Sequence, residues 1–191
     1  MVVNVAANRD VFTSNAFLVD GDRTVLVDAG NDFDAPATIR RHVDDIDALV
    51  LTHTHPDHVG NADAVAEAFD ADVWGHDTDQ KWVDHAIADG DQVRIGDHDY
   101  EALHTPGHKD DHLCFYAPGS ETLFAGDLIF AGGSFGRTDL PEGDRSVLVR
   151  SIQYVRDTVG EDLRTLHAGH GPSVTDEAFS QIEYALQAAQ F

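Results

Sequence analysis

The chain has 191 residues, of which 42% are hydrophobic, and this size and apolar content predict one substantial core and a single domain over residues 1–191. Thirty-five acidic residues against 12 basic ones give a net charge of −23, which argues against nucleic acid as a partner because an acidic surface repels phosphate. Cys114 is the only cysteine, so an internal disulfide and a cysteine-rich zinc finger are both excluded.

The acidic residues are spread along the whole chain rather than gathered in one tail. Such an excess destabilises the fold through self-repulsion in dilute buffer, but at molar salt the screening length falls to about 3 Å and most of that cost disappears. The first ten residues contain no basic n-region, and no segment approaches the roughly 20 apolar residues of a membrane span. We therefore expect a soluble, cytoplasmic protein of a salt-rich cell, without a membrane partner.

The apolar pattern predicts short strands interspersed with helices, beginning with a hairpin turned at Asp20-Gly21. The predicted strands cover residues 16–19, 24–27, 48–51, 72–74, 92–95, 100–104, 112–116, 122–125 and 163–166. The predicted helices cover residues 35–42, residues 62–69 with Asn61 as the cap, and residues 78–88. A fourth helix opens at Asp144 or Ser146 and runs to about residue 159, and a final helix, capped by Thr175-Asp176-Glu177, runs through residue 190. Strands and helices recur in each half, which favours two mixed sheets packed face to face with helices outside.

A cluster of possible metal ligands follows the apolar run Ala48 to Leu51. The stretch His53-Thr54-His55-Pro56-Asp57-His58 holds three imidazoles and one carboxylate, a donor mixture that suits zinc, iron(II) or manganese. Pro56 fixes the local φ between the two donor pairs, so His53 and His55 can face one way while Asp57 and His58 face another. One short loop can therefore supply ligands to two metals.

Three further candidate ligands also come directly after apolar strands. They are His108 in Thr105-Pro106-Gly107-His108, Asp127 in Gly126-Asp127, and His170 in Gly169-His170-Gly171. Side chains at the ends of several strands can converge on one edge of a sheet, and the flanking glycines allow close backbone approach there. Singly each residue is a weak signal, but the shared position strengthens all three.

The motifs H-x-H-x-D-H, T-P-G-H, G-D and G-H-G, in this order between about residues 15 and 171, resemble those of the metallo-β-lactamase superfamily. The resemblance implies a four-layer αββα sandwich with a binuclear metal site on one edge. By motif, His53, His55 and His108 would bind the first metal, Asp57, His58 and His170 the second, and Asp127 would bridge them. The implied cofactors are two divalent ions, zinc before iron or manganese, and the implied catalytic residues are Asp57 and Asp127.

A binuclear site of this kind suits hydrolysis, because two ions about 3.5–4 Å apart can share a hydroxide that attacks a polarised carbonyl. Asp28, which follows the strand at 24–27, is a candidate for holding a ligand imidazole in its metal-binding tautomer, with a plain turn aspartate as the other interpretation. Both interpretations stay open at the level of sequence.

Within the superfamily, the stretches Gly126-Asp127-Leu128-Ile129-Phe130 and Gly136 to Asp144 resemble those of compact glyoxalase II-like thioesterases, which typically have G-D-x-L-F and G-R-T-D-L-P-G-G-D. This resemblance implies hydrolysis of S-2-hydroxyacyl, lactoyl-like thioesters of a small thiol. In that comparison Arg137 stands at the mouth of the site, where a guanidinium can bind a substrate carboxylate in a bidentate pair. The other interpretation of Arg137 is a structural partner for Asp139 or Asp144.

Two departures from the thioesterase pattern affect the choice of substrate. The chain stops one helix after His170, whereas similar full-length enzymes carry a C-terminal helical domain that grips glutathione. The family often has T-P-G-H-T, whereas here His108 is followed by Lys109-Asp110-Asp111-His112. The roles of Lys109 and His112, in specificity or simply at the surface, remain open.

Two other functions are compatible with the same motifs. The first is a persulfide dioxygenase with one iron, whose ligands by motif would be His53, His108 and Asp127. The second is a non-catalytic metal-binding protein of the same fold. Two zinc-like ions per chain favour hydrolysis, whereas one iron favours the oxygenase.

Overall fold

The computed structural model describes residues 1–191, which form two compact units. The first comprises Met1–Ile87 with Val93–Asp99, and the second comprises Ala88–Gln92 with Tyr100–Phe191. The expectation of a single domain over residues 1–191 stays a prediction. None of the helices combines the length and apolar character that a membrane span requires.

The first unit contains a six-stranded sheet in the order β1 to β6 and three short helices. Its strands are β1 (Val2–Asn4), β2 (Phe17–Val19), β3 (Val25–Val27), β4 (Ala48–Val50), β5 (Asp72–Gly75) and β6 (His85–Ala86). Its helices are α1 (Ala35–Ile39), α2 (Pro56–Val59) and α3 (Ala62–Phe69). The sheet is mixed, since β1, β2 and β3 pair antiparallel while β3, β4, β5 and β6 pair parallel.

The second unit contains β11, β10, β9 and β8 as neighbours in that order, and two longer helices. The remaining strands of the chain are β7 (Gln92–Ile95), β8 (His98–His104), β9 (Leu113–Ala117), β10 (Thr122–Gly126) and β11 (Thr165–Ala168). The helices are α4 (Arg145–Thr158) and α5 (Ala178–Ala189). This sheet is also mixed, because β10 pairs parallel with β11 but antiparallel with β9, and β9 pairs antiparallel with β8.

Each unit has its own apolar core. Leu26 and Leu49 are fully buried in the first, as are Leu123 and Ile152 in the second. Each such side chain contributes roughly 1.5–3 kcal/mol when it leaves water, so the central strands anchor the loops that follow them. All residues of β9 and β10 are buried, which explains their near-continuous apolar sequences.

Parallel and alternating strand directions bring the ends of the predicted site strands together within each unit. Val27 of β3 lies beside Val50 of β4, so Asp28 and the histidine loop leave the sheet at the same edge. In the second unit, β8, β10 and β11 run in the same direction because β9 is antiparallel to both β8 and β10. The residues that follow these three strands therefore also meet at one edge.

The sequence prediction was wrong at residues 78–88, where a helix was expected. Asp79 donates its N–H to Asp77 Oδ1 at 2.9 Å, a local turn that competes with helix formation. Farther on, Asp84 exchanges hydrogen bonds with Val73, its N–H reaching the Val73 carbonyl and its Oδ2 accepting from the Val73 N–H. The segment thus joins the sheet edge as β6, a long-range pairing that helical spacing does not reveal.

Candidate functional site

In the first unit, four of the predicted donors lie on the segment between β4 and α3. His55 is the N-cap of α2 with extended backbone (φ −65°, ψ 146°), and Pro56 occupies the first helical turn. The histidines before Pro56 therefore lie on extended chain, whereas Asp57 and His58 lie on a helical turn. The sequence missed α2, because four residues are too few for a periodic signal.

These four side chains present their donor atoms to one another. His53 Nε2 lies 3.1 Å from His55 Nδ1, and the rings of His53 and His58 are 4.0 Å apart between centroids. Asp57 Oδ2 lies 3.9 Å from His58 Nε2. Since His53, Asp57 and His58 are all buried, the segment forms a compact group of three nitrogens and a carboxylate.

Asp28 fixes the histidine segment through hydrogen bonds to Thr52 and His58. Its Oδ2 accepts hydrogen bonds from His58 Nδ1 and from Thr52 Oγ1, both at 2.8 Å, and its Oδ1 accepts from the Thr52 N–H at 2.8 Å. Because the Thr52 hydroxyl donates to Asp28, it accepts from His53 Nδ1 at 3.1 Å. Both imidazoles then carry their proton on Nδ1, which leaves the lone pair of Nε2 available to a cation.

Asp28→Asn is expected to lower activity and metal affinity by roughly ten- to hundredfold, the usual cost of losing a partner that orients a metal ligand. Asparagine tolerates the positive φ of 58° at this position but has only one acceptor oxygen, so the hydrogen bonds to Thr52 and His58 cannot all form. Turnover and chelator competition measure the effect. Asp32→Asn is the matched control, because Asp32 has φ 57° and is exposed; equal behaviour of the two variants would contradict this role.

In the second unit, the three remaining predicted donors converge. Asp127 Oδ2 lies 3.4 Å from His108 Nε2 and 3.5 Å from His170 Nε2. His108 donates from Nδ1 to the Arg137 carbonyl at 2.8 Å, which turns its Nε2 towards the carboxylate. One carboxylate oxygen thus lies within 3.5 Å of two imidazole nitrogens, which is the arrangement expected of a carboxylate that shares cations with both rings.

Close backbone packing fixes His108 and Asp127. A Cβ at Gly136 would lie 2.0 Å from the Asp127 carbonyl oxygen and 2.9 Å from His108 Nδ1, so no other residue fits there without displacing the loop. A Cβ at Gly107 would lie 2.2 Å from the Leu148 nitrogen at the start of α4. Gly107, which precedes the candidate ligand His108, therefore allows close backbone approach as the sequence argument expected, whereas a Cβ at Gly171, which follows His170, would meet open space.

Sequence reasoning did not find the role of His112. This residue is fully buried, and its Nε2 accepts a hydrogen bond from the Asp127 N–H at 3.0 Å, while its Nδ1 lies 2.7 Å from Thr105 Oγ1. A ring nitrogen that accepts from an amide is unprotonated, so His112 is neutral and positions the backbone of Asp127. Its place directly before the apolar run of β9 was the available signal of burial.

Arg137 lies at the surface and pairs with a neighbouring carboxylate. The Arg137 guanidinium is 63% exposed and binds Asp139 with two hydrogen bonds of 2.7 and 2.8 Å, which lower the pKa of the Asp139 carboxyl to about 2. Its role as a substrate clamp stays a prediction.

Cys114 is buried within β9, and burial raises the pKa of its thiol to about 12, so it remains protonated.

The donors fit divalent metal ions by their chemistry. Imidazole nitrogens and carboxylate oxygens suit zinc, iron(II) or manganese. Three of the rings, His53, His58 and His108, have Nδ1 bound to a fixed partner, and the Nε2 of each lies near another candidate donor of its own unit. Such hydrogen bonds from the far ring nitrogen are typical of metal-binding histidines.

The comparisons with known proteins agree with this interpretation of the site. The profile of the Metallo-beta-lactamase superfamily matches residues 9–178. A Bacillus subtilis protein described as "Probable metallo-hydrolase YqgX" is 30% identical over 181 residues, covering 82% of this chain and 83% of that one. "Hydroxyacylglutathione hydrolase GloC" of Haemophilus influenzae is 29% identical over 192 residues, covering 86% and 88%. A Klebsiella pneumoniae "Hydroxyacylglutathione hydrolase" is 37% identical over 143 residues, which are 74% of this chain and 55% of that protein.

Solved structures show the same likeness. The crystal structure of "BLEG-1 B3 metallo-beta-lactamase" superimposes with a TM-score of 0.78 at 28% identity, covering 95% of both chains. "TTHA1623 in a di-iron-bound form" superimposes with a TM-score of 0.75 at 28% identity, covering 98% of this chain and 96% of that one.

Fold and site together define a metal-dependent hydrolase. The chain belongs to the metallo-β-lactamase superfamily. The predicted fold class, an α/β sandwich of two mixed sheets, is confirmed. The family and the His and Asp groups of the structure indicate a site for two metal ions.

Proposed function

We propose that the protein is a thioesterase of glyoxalase II type, which cleaves S-2-hydroxyacyl thioesters of a small thiol. The observation that carries the proposal is Asp127, whose carboxylate oxygen lies within 3.5 Å of both His108 Nε2 and His170 Nε2. The relatives described as hydroxyacylglutathione hydrolases support the thioester as substrate class. No membrane or nucleic-acid partner enters this proposal, since the substrate is a small molecule.

The proposed ligand sets are those implied by the motifs: His53, His55 and His108 for one ion, Asp57, His58 and His170 for the other, and Asp127 shared by both. Two observations support these sets. The 3.1 Å between His53 Nε2 and His55 Nδ1 is close to the spacing of two nitrogens bound to one ion at about 2.0–2.1 Å. The position of Asp127 between two imidazoles suits a shared oxygen donor.

Bound divalent ions supply Lewis acidity, which makes water a nucleophile near neutral pH and polarises a carbonyl. The protein residues orient the candidate ligands. Asp28 and Thr52 hold the rings of His58 and His53 with the Nε2 atoms unprotonated, and the Arg137 carbonyl does the same for His108. Because these partners are fixed by backbone and burial, the donors need little reorganisation when they bind cations.

Elemental analysis of the native protein, paired with a lactoyl-thioester assay at molar salt, tests the proposed function. We expect two zinc ions per chain, with iron or manganese as possible replacements, and thioester hydrolysis that is lost on chelation and restored by the metal. One iron per chain with oxygen uptake on a thiol persulfide would instead identify the dioxygenase, with His53, His108 and Asp127 as ligands. Normal metal content without turnover on any thioester would identify a non-catalytic metal-binding protein.

Arg137→Ala is expected to raise KM for thioesters that carry a carboxylate by several-fold more than KM for neutral ones, if the guanidinium exchanges Asp139 for substrate. Steady-state kinetics on a matched pair of thioesters measure this. Asp139→Asn is the companion variant: it frees the guanidinium and should lower KM for the carboxylate substrate. Equal effects of Arg137→Ala on both substrates would leave only the structural pairing with Asp139.

Salt dependence tests the proposed high-salt cytoplasm. With a net charge of −23, the melting temperature should fall as ionic strength drops below roughly 0.5 M, because like charges then repel over longer distances. Thermal unfolding in sodium chloride and in potassium chloride measures the effect, and the two salts should act alike since screening depends on ionic strength. A melting temperature that does not change with salt concentration would refute the proposed adaptation to a high-salt cytoplasm.

A further inference from the structure

Lys109 follows the proposed ligand His108 and is buried. Only 7% of its side chain is exposed, and its Nζ binds Glu142 and lies 3.3 Å from Asp110 Oδ1 and 3.7 Å from Asp111 Oδ1. The chain has only two lysines, and the other, Lys81, forms an exposed pair with Asp63. A buried ammonium in a chain so poor in cations calls for a specific partner.

Three carboxylates surround the Lys109 ammonium: Glu142 binds it, and Asp110 and Asp111 lie within 3.7 Å of its Nζ. Removing Lys109 would leave the buried Asp111 without this cation, and removing the charge of Glu142 would weaken the hold on an enclosed ammonium. Because the Lys109 side chain is enclosed although Glu142 is 46% exposed, salt screens this pair less than it screens Lys81 and Asp63, whose side chains are 68% and 67% exposed.

Glu142 belongs to the loop that carries Arg137, between β10 and α4. This loop meets the loop after β8 at three points. His108 Nδ1 donates to the Arg137 carbonyl at 2.8 Å, the Asp144 N–H donates to the Gly107 carbonyl at 2.8 Å, and Lys109 binds Glu142. Of these three contacts only the third joins two side chains, so it depends directly on which residues stand at positions 109 and 142. The side chain of Asp110, next to Lys109, also contacts Glu142.

Both members of the pair stand where the sequence departs from the thioesterase pattern. Lys109 takes the place of the threonine in T-P-G-H-T, and Glu142 takes the place of the first glycine in P-G-G-D. Two departures that contact each other are more simply explained as one interaction than as two unrelated changes. Glycine at position 142 could not form this contact.

We propose that Lys109 and Glu142 form a positioning pair, which holds the 137–144 loop so that the Arg137 carbonyl keeps the His108 ring in its metal-binding tautomer and direction. The pair touches neither substrate nor metal in this role. It acts through His108, and it rests on the ligand role of His108 in the proposed function, though not on the identity of the substrate.

Glu142→Gln, Lys109→Met and the double variant test the proposal in the metal-loaded protein. Glu142→Gln keeps the shape of the side chain and removes its charge. We expect the dissociation constant of zinc, measured by chelator competition, to rise about tenfold. The fall in kcat should be larger than the change in KM. The His108 Nδ1–H signal in NMR of the zinc-loaded protein should exchange faster with water. The double variant should be no worse than Lys109→Met. Lys81→Met and Asp63→Asn are the matched controls for loss of an exposed ion pair and should leave these quantities unchanged.

Unchanged zinc affinity and unchanged His108 proton exchange in Glu142→Gln would overturn the proposal, as would a double variant whose losses are simply the product of the single ones. If Lys109→Met fails to fold because the buried Asp111 loses the Lys109 charge, Glu142→Gln still decides the question. Zinc affinity and proton exchange need no substrate. A wild-type protein that hydrolyses no thioester would therefore refute the proposed function. The zinc affinity and the His108 proton exchange of Glu142→Gln would still show whether Lys109 and Glu142 act as a positioning pair.

Discussion

Asp57→Ala is expected to reduce kcat/KM for a lactoyl thioester by roughly a thousandfold, more than the roughly ten- to hundredfold cost of losing an outer partner of a metal ligand. Asp57 is buried, and its Oδ2 lies 3.9 Å from His58 Nε2, where it can share a cation with that ring. Alanine removes the only carboxylate of the segment that follows β4. Steady-state kinetics and the zinc content of the purified variant measure the loss.

Folding should survive this change at molar salt. The Asp57 carbonyl, which accepts the Ser14 N–H at 3.1 Å, is retained, and alanine favours the helical backbone of α2. Asp63→Ala is the matched control, since Asp63 also stands in the first turn of a helix but is exposed. Near-normal turnover of Asp57→Ala would remove the second metal from the mechanism, and a matching loss in Asp63→Ala would point to folding instead.

The sequence predicted the strands that carry the site because each is a short apolar run with a polar residue at its end. The run at 92–95 matches β7. The helix predicted to open at Asp144 or Ser146 matches α4, whose N-cap is Asp144, which accepts from the N–H groups of Ser146 and Val147. These signals are local: buried strands need apolar residues, and a helix needs a cap. They suffice to place His108 and Asp127 after β8 and β10.

What the sequence could not supply depends on contacts between distant residues. Asn61 looked like a side-chain cap, but its Nδ2 donates instead to the Ala29 carbonyl at 3.1 Å. The final helix begins at Ala178 rather than within the capping stretch from 175, because Glu177 adopts a left-handed conformation (φ 51°). The contacts of His112 and of Lys109 likewise join residues separated by 15 and 33 positions, a range that spacing does not encode.

The geometry of Asp28 shows where motif and structure complement each other. Its position after β3 suggested either a turn residue or a partner for a ligand imidazole, and nothing local distinguishes these. The structure shows features of both, a positive φ of 58° together with hydrogen bonds to Thr52 and His58. A residue that forms the turn can therefore also orient the ring, which is why composition alone left the alternatives equal.

Asp127→Asn is expected to reduce kcat/KM by roughly a thousandfold and to lower the zinc content by about one ion per chain, a loss beyond the roughly ten- to hundredfold cost of an outer partner. Asparagine keeps the shape but brings no negative charge, and two dications that share a donor repel each other unless an anion lies between them. A neutral amide oxygen is also a weaker donor to a cation than the charged Oδ2 of Asp127, which faces both His108 and His170.

The fold should tolerate Asp127→Asn because the backbone contact is independent of the carboxylate: the Asp127 N–H still donates to His112 Nε2. Zinc analysis, kinetics and thermal unfolding at molar salt on the same preparation separate loss of metal from loss of structure. Asp157→Asn, which removes an exposed carboxylate paired with Arg156, is the control for net charge and should match the wild type. Two zinc ions and full turnover in Asp127→Asn would show that this oxygen is not shared, and the ligand sets would have to be redrawn around the remaining six donors.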